Sequence, residues 1–446
     1  MKKDNRMKRV LILLVLLVTA AALFGAGVKE PMSERYKLTL VNTGDSRWPD
    51  SATAEDTGGY VSFQEKIADE FRKTHPNIEV TVIHRDVTQG SLTVDALMAK
   101  GTPPDVWLDA AGYFQNYLNA DYALPLEQYM DVSVYQKDLT DLYTRNGHVY
   151  ALASTNVANG MVINNDMLKA IGYTMPAQAD WTTDEFLRLA ERLKGAGFPA
   201  TMIMTQQGLI SWNMVWLYAF GAELYRNQDY SKVTINTPAA KAGLEYMKLL
   251  VDKGYAYPYP NEQNDDAGVE LFTTGKVFSC MMQTGHVTYW LPEQLKNNKI
   301  DKLIDYSFVE FPHAPGVAHT PTYCYQTAVI AHRSADEGRN KAVIELFKSQ
   351  VGPDYQRYAA MCNGGFPTIV GLQLWDKGDS ASATFKSVAA IAANAGAMDL
   401  GGLSPRAAEV NAAWKLPIQA FMAGKLTAQQ VLDQFEAEAK KILATK

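Results

Sequence analysis

Residues 146–172 read NGHVYALASTNVANGMVINNDMLKAIG. Asn146-Gly147 is a two-residue hairpin signal, because both residues tolerate positive φ. Two apolar, β-prone runs follow at 149–152 and 161–163, separated by the small and polar residues Ser154-Thr155-Asn156 and Asn159-Gly160. Asn165 or Asp166 then serves as the cap of a helix opening at Met167-Leu168. The stretch predicts one extended strand that leaves one structural unit, passes a polar joint at 154–160 and enters another. A hinged clamp needs such a link.

Outward from this stretch the two sides differ. Upstream, 36–41 (YKLTLV) reads as a strand ended by Asn42-Thr43-Gly44, and a long loop with Asp45, Arg47 and Trp48 follows. In 61–73, Phe63, Ile67 and Phe71 share one face of an amphipathic helix, which His75-Pro76-Asn77 stops. A strand at 78–84, a helix at 92–100 and a strand at 105–108 complete a strand–helix–strand–helix–strand order, which predicts βαβ units on a parallel sheet. Downstream the chain is richer in helix: 181–194, 209–220, 238–253, 336–351, 380–394, 405–422 and 427–444. Strands are expected at 276–282, 306–311 and 327–331.

At 446 residues the chain is long enough for two or three domains, and 47% apolar residues suit a folded protein. Residues 1–27 read as a secretory signal peptide. Lys2, Lys3, Arg6, Lys8 and Arg9 precede a nearly unbroken apolar run at 10–24, and Gly25-Ala26-Gly27 offers a cleavage site before Val28. No other stretch reaches the ~18 apolar residues of a membrane helix. The leader carries five cations and Asp4, so its removal takes the net charge from −6 to about −10. That charge disfavours nucleic acid and anionic membranes as partners. Cys280, Cys324 and Cys362 lie far from the leader, so no lipid-bearing N-terminal cysteine is expected. One disulfide, such as Cys324 to Cys362, fits export to an oxidising compartment. No metal site is expected from such wide spacings.

Catalytic templates are missing: no GxSxG, no Walker loop, no HExxH and no GxGxxG after a strand. No cofactor is expected. His313 and His319 flank a Pro/Gly-rich loop and read as loop residues. Aromatic and polar residues do gather at strand ends, where open α/β sheets bind ligands. Trp48 follows the first strand, and Asp109 and Tyr113 follow the third. Gln283 and His286 follow 276–282, Tyr323 and Tyr325 precede 327–331, and Phe366 lies in a Gly-rich loop. Aromatic faces offer flat apolar area to sugar rings, and Asp, Asn and Gln pair with hydroxyls. Trp212 and Trp216, one helical turn apart, fit core and cleft alike. Asp109 fits a cleft role and a helix cap alike.

Several pieces, in this order, carry a resemblance: FQEKIADEFRKTHPNIEVTV (63–82), TPPDVWLDA (102–110), the opening stretch extended to Tyr173, WTTDEFLRLAERLK (181–194), LFTTGKVFSCMMQTGHV (271–287), TAVIAHRSADEGRNKAVIELFKSQV (327–351) and GGFPTIVG (364–371). The chain resembles the extracellular solute-binding proteins of ABC transporters, family 1, the group that includes maltose-binding protein. The resemblance implies an α/β, two-lobe periplasmic-binding-protein fold, type II-like, each lobe a sheet flanked by helices. It puts one lobe at 36–153 plus 311–357 and the other at 154–310 plus 358–446, with crossings at 153–159 and 310–312. It implies capture of a mono- or oligosaccharide in the interlobe cleft by a monomeric, non-enzymatic periplasmic protein, which delivers it to membrane permease subunits. A secreted carbohydrate-active hydrolase and a sensor or adhesin on the same fold are the alternatives. Candidate ligand-binding residues are Asp45, Trp48, Asp109, Tyr113, Asn159, Trp212, Trp216, Gln283, His286, Tyr323 and Phe366. Where relatives carry a Gly followed by an aromatic, this chain has Gly285-His286, so a hydrogen-bonding role is expected there instead of stacking.

Overall fold

The computed structural model describes residues 34–43, 63–85, 92–175, 181–205, 210–257, 265–288, 290–363, 365–374 and 380–444. The expected leader, Asp45 and Trp48 lie outside the described residues. Its strands are β1 (Tyr36–Thr43), β2 (Ile78–Arg85), β3 (Val106–Ala110), β4 (Thr144–Arg145), β5 (His148–Val149), β6 (Ala151–Asn164), β7 (Thr201–Met202), β8 (Ala256–Tyr257), β9 (Ser279–Gln283), β10 (Tyr306–Val309) and β11 (Cys324–Ala331). The main sheet runs β2-β1-β3-β11-β6-β10, and β9 also pairs with β6. The β2-β1-β3 part is parallel, as the βαβ pattern predicts, with helices Phe63–Thr74 and Leu92–Ala99 as crossovers. The strands β11, β9 and β10 are antiparallel additions.

Strand β6 is the spine of the molecule. Asn146 (φ 53) and Gly147 (φ 80) turn the β4–β5 hairpin ahead of it. The expected polar joint is itself strand, so β6 runs unbroken for 14 residues. Up to Ala158 it pairs with β11, and from Asn159 it pairs with β9 and β10. Asn164, one residue earlier than expected, caps the next helix, its Oδ1 accepting from Met167 N at 3.1 Å. Gly160 is needed for space: a Cβ there would lie 2.8 Å from the Phe308 ring.

The strand alternation sorts the first lobe into two apolar clusters, one on each face of the sheet. Leu38, Leu40, Leu108, Val329 and Phe347 share one. Val41, Trp107, Tyr143, Ala151 and Ile330 share the other. The second lobe has a single large cluster that includes Met161, Trp181, Phe186, Trp216, Phe278 and Phe435. Each fully buried large apolar side chain contributes about 1.5–3 kcal/mol. Helix Thr183–Gly195 starts with a capping box between Thr182 and Glu185.

Three expectations about chain course need correction. Residues 311–322 pack with the second lobe: His313 N donates to Trp181 O, Ala314 N to Ala219 O and Thr322 N to Gly396 O. The chain therefore re-enters the first lobe at 323–324, where β11 begins, not at 310–312. Ala359, Ile369 and Leu372 stay with the first lobe's core, and Val370 N donates to Val134 O, whereas Phe366 packs against the second lobe's cluster. The helix expected at 405–422 is two helices, Ala407–Ala413 and Lys415–Met422. Pro417 has no N–H for the carbonyl of Ala413, which breaks the ladder.

Candidate functional site

The register of β6 with its partners builds one face at the crossing. Tyr325 stands opposite Val157, and Gln283 stands opposite Asn159. Side chains two apart on a strand share a face, so Tyr323 joins Tyr325 and Val157 joins Asn159. The two tyrosine rings stack with centroids 5.6 Å apart and planes at 26°. Tyr325 Oη donates to Gln283 Oε1 at 3.0 Å, and Gln283 Nε2 lies 2.9 Å from His286 Nε2. With the amide so oriented it donates, and the imidazole nitrogen accepts. Helix Thr284–Thr288, which carries His286, touches helices Pro353–Asn363 and Ser380–Ala395.

Asn159 locks this face. Its backbone N and its Nδ2 both donate to Tyr323 O, at 2.9 and 3.0 Å, and its own carbonyl accepts from Thr322 Oγ1. On the first half of β6, Asn156 exchanges backbone bonds with Phe366, and its Oδ1 accepts from Gln326 Nε2 at 3.0 Å. Phe366 thus passes beside the crossing, and its ring meets Phe385 of the second lobe edge-on at 5.5 Å. Tyr323 keeps its phenol protonated to higher pH than usual, pushed up to about 12 by burial and by the neighbouring Cys324 and Tyr113. Tyr113 lies on the first-lobe turn Ala111–Tyr117 and packs against the cluster that holds Trp107, on the first-lobe side of Tyr323.

The structure brings together Tyr113, Asn159, Gln283, His286 and Tyr323, with Phe366 flanking the crossing. Asp109, Trp212 and Trp216 are instead buried among protein groups. Asp109 is 0% exposed, and its carboxylate accepts from Trp107 Nε1 at 3.2 Å and from Ala110 N at 2.7 Å. Those bonds satisfy a buried polar group, and they make Asp109 a brace for the end of β3. Trp216 is 2% exposed, with ring contacts to Phe186, Tyr246 and Phe311. That is core packing and leaves no face for a ligand. Trp212 is buried in the same cluster. Tyr325 and Phe385 were not among the candidates. The signal for Tyr325 is its alternation with Tyr323, which two strand residues on one face share.

A buried group stitches the second passage of the chain to the second lobe. Glu310 accepts at Oε1 from Asn394 Nδ2, its Oε2 lies 2.9 Å from His319 Nδ1, and its carbonyl accepts from Trp181 Nε1 at 2.8 Å. His319 is therefore part of a fixed polar cluster and more than a loop residue. Cys280 and Cys324 are free thiols, so the suggested Cys324–Cys362 bridge is not formed. Burial pushes the Cys324 thiol up to about 11 and that of Cys280 well above the ordinary thiol range. Both stay protonated and unreactive at neutral pH.

A model of the bacterial extracellular solute-binding protein family matches residues 54–357. A lactose-binding protein of Rhizobium radiobacter is 26% identical over 230 residues, which are 50% of this chain and 52% of that protein. The chain thus matches about half the length of that relative. Among solved structures, maltose-bound MalE3 of T. maritima superposes with a TM-score of 0.73 at 18% identity, over 91% of this chain and 99% of that one. A chitin oligosaccharide binding protein superposes with a TM-score of 0.74 at 19% identity, over 92% and 99%. These two share the two-lobe fold with the chain, whose β6 runs through both lobes. The family model spans well over half of the sequence, and the chain belongs to the bacterial extracellular solute-binding protein family.

Proposed function

We propose that the protein is exported, captures a mono- or oligosaccharide between its lobes and delivers it to the membrane subunits of an ABC importer. The observation that carries this reading is the stacked pair Tyr323 and Tyr325, joined through Gln283 to His286 where the lobes meet. Flat apolar rings beside amide and imidazole groups suit a sugar, which has a CH-rich face and a rim of hydroxyls. Tyr113, Asn159 and Phe366 complete the proposed contacts, and Asp45 and Trp48, outside the described residues, are proposed with them on their residue types alone. The relatives named for lactose, maltose and chitin oligosaccharide support the same ligand class.

The mechanism is a population shift. A ligand that touches both lobes binds the closed form better than the open one and draws the equilibrium toward it. Bending concentrates at the crossing, where β6, the start of β11 and the 365–369 segment lie side by side. A dissociation constant near 1 µM, about −8 kcal/mol, suits a carrier that must also release its cargo. Export through a cleaved leader leaves it free in the periplasm as a monomer. A hydrolase needs a paired acid and base, whereas the buried Asp109 and Glu310 hold internal hydrogen bonds.

Thermal-shift screening against a panel of mono- and oligosaccharides tests the reading. At least one sugar is expected to raise the melting temperature, with no turnover of that sugar on long incubation. A rise with peptides or metal ions alone would sink it.

A further inference from the structure

The loop from Met398 to helix Ala407–Ala413 is rooted in the second lobe. Met398 and Leu400 lie in that lobe's core. Asp399 O accepts from Tyr218 Oη at 2.7 Å, and its carboxylate accepts from Tyr230 Oη at 3.3 Å and from Gly401 N at 2.8 Å. The tip of the loop sits on the first lobe. Leu403 packs against the first-lobe cluster that contains Trp107, the same cluster that Tyr113 and Tyr117 cover. Beside it backbone meets backbone: a Cβ at Gly112 would lie 3.1 Å from Gly402 O and 3.8 Å from Ala407 Cβ. The lobes therefore also meet on the turn Ala111–Tyr117 that follows β3.

We propose that Gly402-Leu403 is an interlobe latch, seated on Gly112 and on the apolar cluster beside Tyr113, and that it sets ligand affinity by favouring the closed form. Every group in this contact belongs to the protein. Its contribution to closure is the same whichever ligand lies in the cleft. Loosening it lowers the binding-competent fraction, and apparent affinity falls by that fraction for all ligands alike. A residue that touches the ligand changes the ranking among ligands instead. Gly112 is not at positive φ, so a side chain placed there acts through space and not through backbone strain. The inference rests on the two-lobe fold, and on the carbohydrate reading only for its affinity arm.

The test compares wild type, Leu403→Ala and Gly112→Val. Small-angle scattering of each protein without ligand reads the lobe separation. Calorimetric titrations with maltose, lactose and tagatose read affinity. Both variants are expected to show a larger radius of gyration than wild type. They should also bind each sugar that wild type binds more weakly by one common factor, roughly five- to tenfold. Unchanged radius in both variants overturns the latch. So does a loss that differs from sugar to sugar, which would make the loop a ligand contact. If Leu403→Ala melts too low to use, Gly112→Val decides alone, because it adds atoms at the seam without removing any from a core. If wild type binds none of the three sugars, the scattering arm still decides the latch, and the carbohydrate reading is what that outcome damages.

Discussion

Tyr325 donates its hydroxyl to Gln283, and Gln283 reaches His286 in turn. Tyr325→Phe removes that one oxygen and keeps the ring stack with Tyr323. A hydrogen bond of this kind is worth about 1 kcal/mol net, so affinity for the best sugar of the panel should fall roughly three- to tenfold. Calorimetric titration reads this, and an unchanged affinity removes the Tyr325–Gln283–His286 chain from the site. Trp216 makes the opposite case. Its indole lies among Phe186, Tyr246 and Phe311, so Trp216→Ala should lower stability by about 3–5 kcal/mol in urea unfolding. Retained sugar affinity in the folded fraction is expected with it; selective loss of binding at full stability would restore Trp216 to the cleft. The sequence around Trp216 shows only its spacing from Trp212. The three rings that decide its role come from segments far along the chain, which no local window holds.

At the level of the element, the helices and the βαβ lobe were legible because their signals are local. The capping box at Thr182 and Glu185, and the apolar face of Ile67 and Phe71, are each contained in one turn or two. The strand β6 was legible as a link between lobes, but its polar middle read as a joint. Ser154, Asn156 and Asn159 stay in strand because partners on neighbouring segments meet them: Thr327 O for Ser154 Oγ, Phe366 for Asn156, Tyr323 O for Asn159. Those partners lie more than 160 residues away, beyond any periodicity argument. Gly160 tests how tightly the element is packed. A Cβ there meets Phe308 at 2.8 Å, so Gly160→Val should cost about 1–3 kcal/mol by overpacking. Adding Phe308→Ala should return part of that loss, a positive coupling that a double-mutant cycle reads. Strict additivity of the two changes would mean that the close approach is not what fixes the residue.

Among the described residues, the two lobes share the spine β6, the re-entry at 323–324 beside it and the seam at Gly112. Both lobes also bury tyrosines. Burial pushes Tyr323 up to about 12, and it pushes Tyr122, Tyr135 and Tyr143 of the first lobe and Tyr218 and Tyr246 of the second higher still. In the unfolded chain each phenol titrates near its ordinary value of about 10. Above that pH the unfolded state has released protons that the folded state still holds, so stability falls as pH rises. The contribution is present in full below about pH 10 and is lost as pH climbs through the raised values. Urea unfolding at pH 8, 9, 10 and 11 should therefore show a plateau and then a decline, and phenolate absorbance should rise in two stages. The exposed tyrosines titrate first, and the buried ones appear only with loss of secondary structure. Because Tyr323 sits at the crossing, sugar affinity should hold up to the pH at which the second stage begins and then disappear with the fold. Affinity lost at the first stage, with secondary structure intact, would mean that a phenol at the crossing ionises in the folded protein and that the half-buried Tyr323 is more open to water than its raised value implies.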